Sequence, residues 1–72
     1  MKDDIRKQTC LIIRKNGEYL VGRIVFSNEL RWSIYAHEAY RTRSRREARK
    51  LALKTGGTVM LFNPIVRTMK VL

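Results

Sequence analysis

The sequence predicts an α+β fold: an antiparallel sheet of three to four strands with one helix packed on one face, in the order β-β-β-α-β. Three observations predict it. Two apolar, β-branched runs flank Asn16-Gly17, the dipeptide most at ease in a tight hairpin turn. Ser44-Arg45-Arg46-Glu47 opens a helical segment and Gly56-Gly57 closes it. TVMLFNP then returns to extended structure. With 72 residues the chain holds one domain at most, and its core is marginal.

The hairpin comes first, after residues 1–7, which are expected to be frayed. QTCLIIRKNGEYLVGRIVF supplies both strands. A two-residue loop fixes the register, so Lys15 faces Glu18, Arg14 faces Tyr19, Ile13 faces Leu20, Ile12 faces Val21, Leu11 faces Gly22 and Cys10 faces Arg23. Leu11, Ile13, Leu20 and Ile24 are assigned to the core, because that face carries no charge short of the tip. The other face, with Cys10, Ile12, Arg14, Tyr19, Val21 and Arg23, is mixed. It is read as left uncovered by the helix, and so open to a dimer or a ligand.

Ser27-Asn28-Glu29 is a turn. LRWSIYA is a third strand with Leu30, Trp32, Ile34 and Ala36 on one side, and Trp32 is expected to anchor the core. His37 to Arg43 has no clean period and reads as an exposed basic connection. Ser44 should cap the amide of Glu47, and Glu47 should reach back to Ser44. The helix should run from Arg45 to Thr55, with Gly56 as its left-handed stop. In the last strand Val59 and Leu61 share one face and Met60 and Phe62 the other, and Pro64 ends it. Residues 64–72 are a tail or an edge strand.

Sixteen basic residues stand against six acidic ones, a net charge of +10. The second half holds most of the excess: residues 37–72 carry nine Lys or Arg and two acids. Such a field favours a polyanion or an acidic protein surface. One cysteine, Cys10, makes no internal disulfide. Neither it nor His37 has a cluster of ligand-type neighbours, so no metal or cofactor is expected. No apolar run approaches the length of a membrane span, and the charged start lacks a secretion signal, so a cytoplasmic location is expected. Catalysis is not expected. His37-Glu38 is the one candidate acid–base pair, and adjacent residues seldom point at one site.

The helix divides by side. Ala48, Leu51, Ala52 and Thr55 form the inner stripe, small enough to lie close to the sheet. Arg45, Arg46, Arg49, Lys50 and Lys54 fill the outer sector, together with Leu53. Solvation alone accounts for basic side chains on an outer face. It does not account for the scarcity of acids, since interleaved Glu–Lys pairs would each stabilise the helix by a few tenths of a kcal/mol. Arg41 and Arg43 precede the helix N-terminus, where free amides already favour an anion. Arginine offers a planar fork that fits phosphate. Tyr35 and Tyr40 lie near enough in sequence to stack on a base.

The words RWS and AYRTRSRREARKLALKTGGTVMLFNPIV resemble those of small bacteriophage and prophage proteins, mainly from Gram-positive hosts. The likeness covers a little over half of the chain. It implies a phage accessory protein, a class that includes inhibitors of host immunity. It brings no catalytic residue. The basic charge departs from acidic inhibitors that imitate DNA.

The expected function is therefore non-catalytic binding of an anionic ligand in a bacterial host cell, whether DNA, RNA or a phosphorylated nucleotide. Arg41, Arg43, Arg45, Arg46, Arg49, Lys50 and Lys54 would carry the charge, and Tyr35 and Tyr40 would stack. The alternative is an inhibitor that docks on a bacterial immune effector through the open sheet face and the basic helix. A homodimer would combine the two by placing two basic helices around one ligand.

Overall fold

The computed structural model describes residues 8–23 and 29–72, with the backbone alone at Arg23. The expected fraying of residues 1–7, the core role of Ile24 and the Ser27-Asn28 part of the turn lie outside the described residues. The sheet has five antiparallel strands in the order β3-β2-β1-β4-β5. They are β1 (Cys10–Lys15), β2 (Glu18–Arg23), β3 (Leu30–Ser33), β4 (Thr58–Asn63) and β5 (Thr68–Val71). Between β3 and β4 lie a 3₁₀ turn (Ala36–Glu38) and the helix α1 (Arg45–Thr55). The tail thus supplies an edge strand, one more than expected.

The Asn16-Gly17 turn has φ of 53° and 79°, which matches the tight turn that the dipeptide favours. Its register holds at the tip, where Arg14 pairs Tyr19 and Lys15 pairs Glu18. The four deeper pairs expected of the hairpin do not form. Beyond Arg14 the two strands part, and the connection enters the gap. Leu11 and Thr42 exchange both backbone hydrogen bonds, at 2.7 and 3.1 Å, and Tyr40 N–H donates to the Leu20 carbonyl at 2.8 Å. Residues 40–42 thus replace β2 as the neighbour of β1 there. They also satisfy backbone groups that would otherwise be buried without partners. On its other side β1 pairs with β4 along its length, from Cys10 with Phe62 to Arg14 with Thr58. In β2 a bulge at Val21 shifts the pairing with β3 between Leu20 and Gly22.

The helix follows its sequence signals closely. Ser44 Oγ accepts from Glu47 N–H at 3.2 Å, and Gly56 stops the helix at φ 76° with its N–H on the Ala52 carbonyl. One half of the capping box is rerouted. Ser44 N–H donates to Thr42 Oγ1 rather than to Glu47, and Thr42 in turn donates to Glu47 Oε2, both at 3.1 Å. Lys15 is also redirected. Its ammonium donates to the Thr55 carbonyl at 2.8 Å, a favourable place for a cation at the negative end of the helix dipole.

Ala48 and Thr55 are buried and Leu51 and Ala52 half-buried, as the inner stripe requires. They cover Leu11, Ile13 and Leu20, with Trp32, Val59 and Leu61 packed around them. Gly57 brings the chain against this layer, since a Cβ there would meet Ile13 Cγ2 at 2.7 Å.

The expectation that the opposite sheet face is open is overturned at its centre. Ile12 is 1% exposed and belongs to a second cluster with Cys10, Ala39, Met60 and Phe62. Tyr19, Ala36 and Met69 pack at its margin. As a central strand, β1 buries both faces, which is why CLII reads as one unbroken apolar run. The third strand is also shorter than expected. It ends at Ser33, leaving Ile34 64% exposed. Ala36 passes into the 3₁₀ turn, which rests on the second cluster instead of extending the sheet.

Candidate nucleic-acid interface

The connection alternates like a strand, and that alternation sorts the predicted site residues. Tyr40 and Thr42 point towards the helix, where both hydroxyls donate to the Glu47 carboxylate. The phenol of Tyr40 is held above its usual ionisation point. The hydrogen bond to Glu47 is the main cause, followed by desolvation and the charge of Glu47. Arg41 points the other way. Its guanidinium lies 5.6 Å from the centroid of Phe62, a cation–π distance. Arg43 turns to the same side, and the two arginines line a recess of about 160 Å³ with Gln8, Cys10 and Thr42. The Cys10 thiol donates to the Phe62 carbonyl at 3.4 Å. Burial pushes its pKa up, and Arg41 and Arg43 oppose that shift.

Next to this recess is a groove of about 550 Å³ on the sheet face away from α1. Its polar and aromatic lining comes from Tyr19, Tyr35, His37, Arg41, Phe62 and Arg67. Tyr35 is 54% exposed, and its ring lies 5.5 Å from that of His37 at a tilt of 35°. Further along the same face, Arg14 sits 5.9 Å over the ring of Tyr19.

The predicted residues therefore divide. Tyr35 and Arg41 meet in the groove, and Arg43 lies in the adjoining recess. Arg45, Arg46, Arg49, Lys50 and Lys54 are exposed on α1, which covers the other face of the sheet. Among the described residues, none of these five has a carboxylate within ion-pair distance. Tyr40 is separated from Tyr35, with its hydroxyl occupied by Glu47. The helix N-terminus is likewise engaged by Ser44 and approached by the Glu47 carboxylate. Sequence reasoning placed Tyr19 on a face open to a ligand but missed Phe62 and Arg67, and it did not join the three in one groove. They come from β2, β4 and the turn before β5, and only the strand order brings them together.

Among the described residues no group of three or more His, Cys, Asp or Glu side chains is placed to hold a metal ion, and no helix is long and apolar enough to cross a membrane. No protein-family model, curated protein or solved structure matches the chain.

Proposed function

We propose that this protein is a non-catalytic nucleic-acid-binding module, acting as a phage-type accessory protein in a bacterial cell. The observation that carries the reading is the outer side of α1. Arg45, Arg46, Arg49, Lys50 and Lys54 are exposed there without carboxylate partners among the described residues. Arg41 and Arg43 extend the positive field to the connection. Five like charges on three turns of helix oppose folding, and an approaching phosphate backbone would relieve that repulsion. Arginine dominates the set, and its fork fits phosphate oxygens. The likeness of the Trp32 to Val66 region to phage accessory proteins adds the host-defence setting to the proposal.

The test is binding of a labelled oligonucleotide by anisotropy across a salt series. Log affinity should fall linearly with log salt, and each phosphate contact removed should flatten the slope by about 0.7–0.9. Replacing Arg45, Arg46 and Arg49 together by Ala should therefore flatten it clearly. An absence of salt-dependent binding to DNA and RNA alike would refute the proposal.

A second reading, an inhibitor that docks on a bacterial protein, draws on exposed Ile65, Val66, Val71 and Leu72 on and beside edge strand β5. Capture of an effector that oligonucleotides do not displace would favour it.

A further inference from the structure

The groove on the sheet face opposite α1 has a chemistry that the helix lacks. We infer that it takes unpaired bases of single-stranded nucleic acid, with Arg41 and Arg67 holding the phosphates beside them. This rests on the nucleic-acid reading above and narrows it from any phosphate backbone to a strand whose bases are free.

A volume of about 550 Å³ falls within the range of roughly 300–1,000 Å³ typical of small-ligand sites, so an aromatic base fits. Tyr35 and His37 present two exposed rings at a tilt rather than stacked on each other, which leaves ring faces for a base. Base–aromatic stacking of this kind tolerates any base. Among the described residues no carboxylate lines the groove, whereas Arg41 and Arg67 do.

Arg41 joins two compartments. It lines both the groove and the smaller recess that it shares with Arg43. An aromatic compartment therefore adjoins a cationic one, as base adjoins phosphate along a strand. Phe62 lies beneath its guanidinium at a cation–π distance, which favours this direction.

Arg67 adds an independent sign. It has φ 56°, a conformation in which glycine or asparagine would fit with less strain. A long cation is held at a strained turn position on the rim of an aromatic groove, where its charge is useful to a ligand and its backbone is not. A duplex does not meet these features. Its base faces are already stacked on one another, and it reaches the groove only if bases leave the stack.

The experiment compares three probes of one sequence: single-stranded RNA, single-stranded DNA and the DNA duplex. The inference expects at least one single strand to bind about tenfold or more tighter than the duplex. Tyr35→Ala should weaken single-strand binding by about tenfold, the order of one lost stacked base, and leave duplex binding unchanged. Arg67→Gly relaxes the turn, so its melting temperature should hold or rise while single-strand affinity falls. Equal binding of duplex and single strands, unaffected by Tyr35→Ala, overturns the groove inference and leaves the helix reading standing. Absence of salt-dependent binding by all three probes overturns both.

Discussion

Leu11 and Thr42 face each other as an isolated antiparallel bridge, each donating its N–H to the other's carbonyl, at 2.7 and 3.1 Å. This contact sits where the sequence register would have placed Gly22 against Leu11. It converts a connection without apolar period into part of the sheet, and it turns Arg41 towards the groove.

Thr42 holds this arrangement with its side chain as well. Its Oγ1 accepts from Ser44 N–H and donates to Glu47. Thr42→Val keeps the shape and removes both contacts. We expect a loss of about 1–3 kcal/mol, since two modest hydrogen bonds go and their partners remain. Chemical denaturation of the two proteins measures it. Hydrogen exchange offers a second check, because the Leu11 and Thr42 amides should be protected like those of the paired strands.

Ile12→Ala distinguishes a buried second face from an open one. A residue at 1% exposure, packed among Cys10, Met60 and Phe62, should cost about 2–5 kcal/mol when cut to Ala. An exposed strand residue would cost within about 0.5 kcal/mol. The midpoint of urea unfolding separates these outcomes.

Gly56 and Gly57 should respond to alanine for different reasons. At Gly56 the penalty is conformational, because φ is 76°, and about 1–2 kcal/mol is expected. Gly56→Asn should recover part of it, as Asn tolerates the left-handed region. At Gly57 the penalty is steric. A Cβ would sit 2.7 Å from Ile13 Cγ2 and 3.1 Å from the Arg14 carbonyl, so about 1–3 kcal/mol is expected, and Asn should be no better than Ala. Melting curves of the four variants test the contrast.

Tyr40 should ionise later than a free tyrosine. Its raised pKa means that the fold favours the neutral phenol, hydrogen-bonded to Glu47. The contact's contribution is therefore full below the unfolded value of 10.0 and fades as pH rises through the higher folded value. An ultraviolet titration of the protein minus that of Tyr40→Phe isolates the transition. Glu47→Gln removes the negative charge and should move it down; an unmoved transition would contradict the assignment.

Much of the fold is legible in the sequence because local chemistry determines it. The Asn16-Gly17 turn, the Ser44 cap, the Gly56 stop and the inner stripe of α1 each depend on residues within a few positions. The splayed hairpin is not legible. Tyr40 and Thr42 are held by backbone bonds to strands far away in sequence, which leave no apolar period. The buried second face had one readable sign, the unbroken run Cys10 to Ile13, but what covers it comes from Ala39, Met60 and Phe62. The groove was half legible. Tyr35 and Arg41 stand close together in the chain, whereas Phe62 and Arg67 join them only through the β1–β4 and β4–β5 pairings.

The central place of β1 also governs how the chain is made. Cys10 and Phe62 are 52 positions apart, yet they are paired neighbours. At about 5–20 residues per second of synthesis, β1 leaves the ribosome roughly 3–10 seconds before the strand that covers its longer edge. Until then only the two residue pairs at the hairpin tip hold it against its sequence neighbour. The apolar run at Cys10 to Ile13 thus spends that interval without its main partner. Native pairing of β1 is completed only once β4 has been synthesised, so a chain truncated before Thr58 should aggregate rather than fold in part.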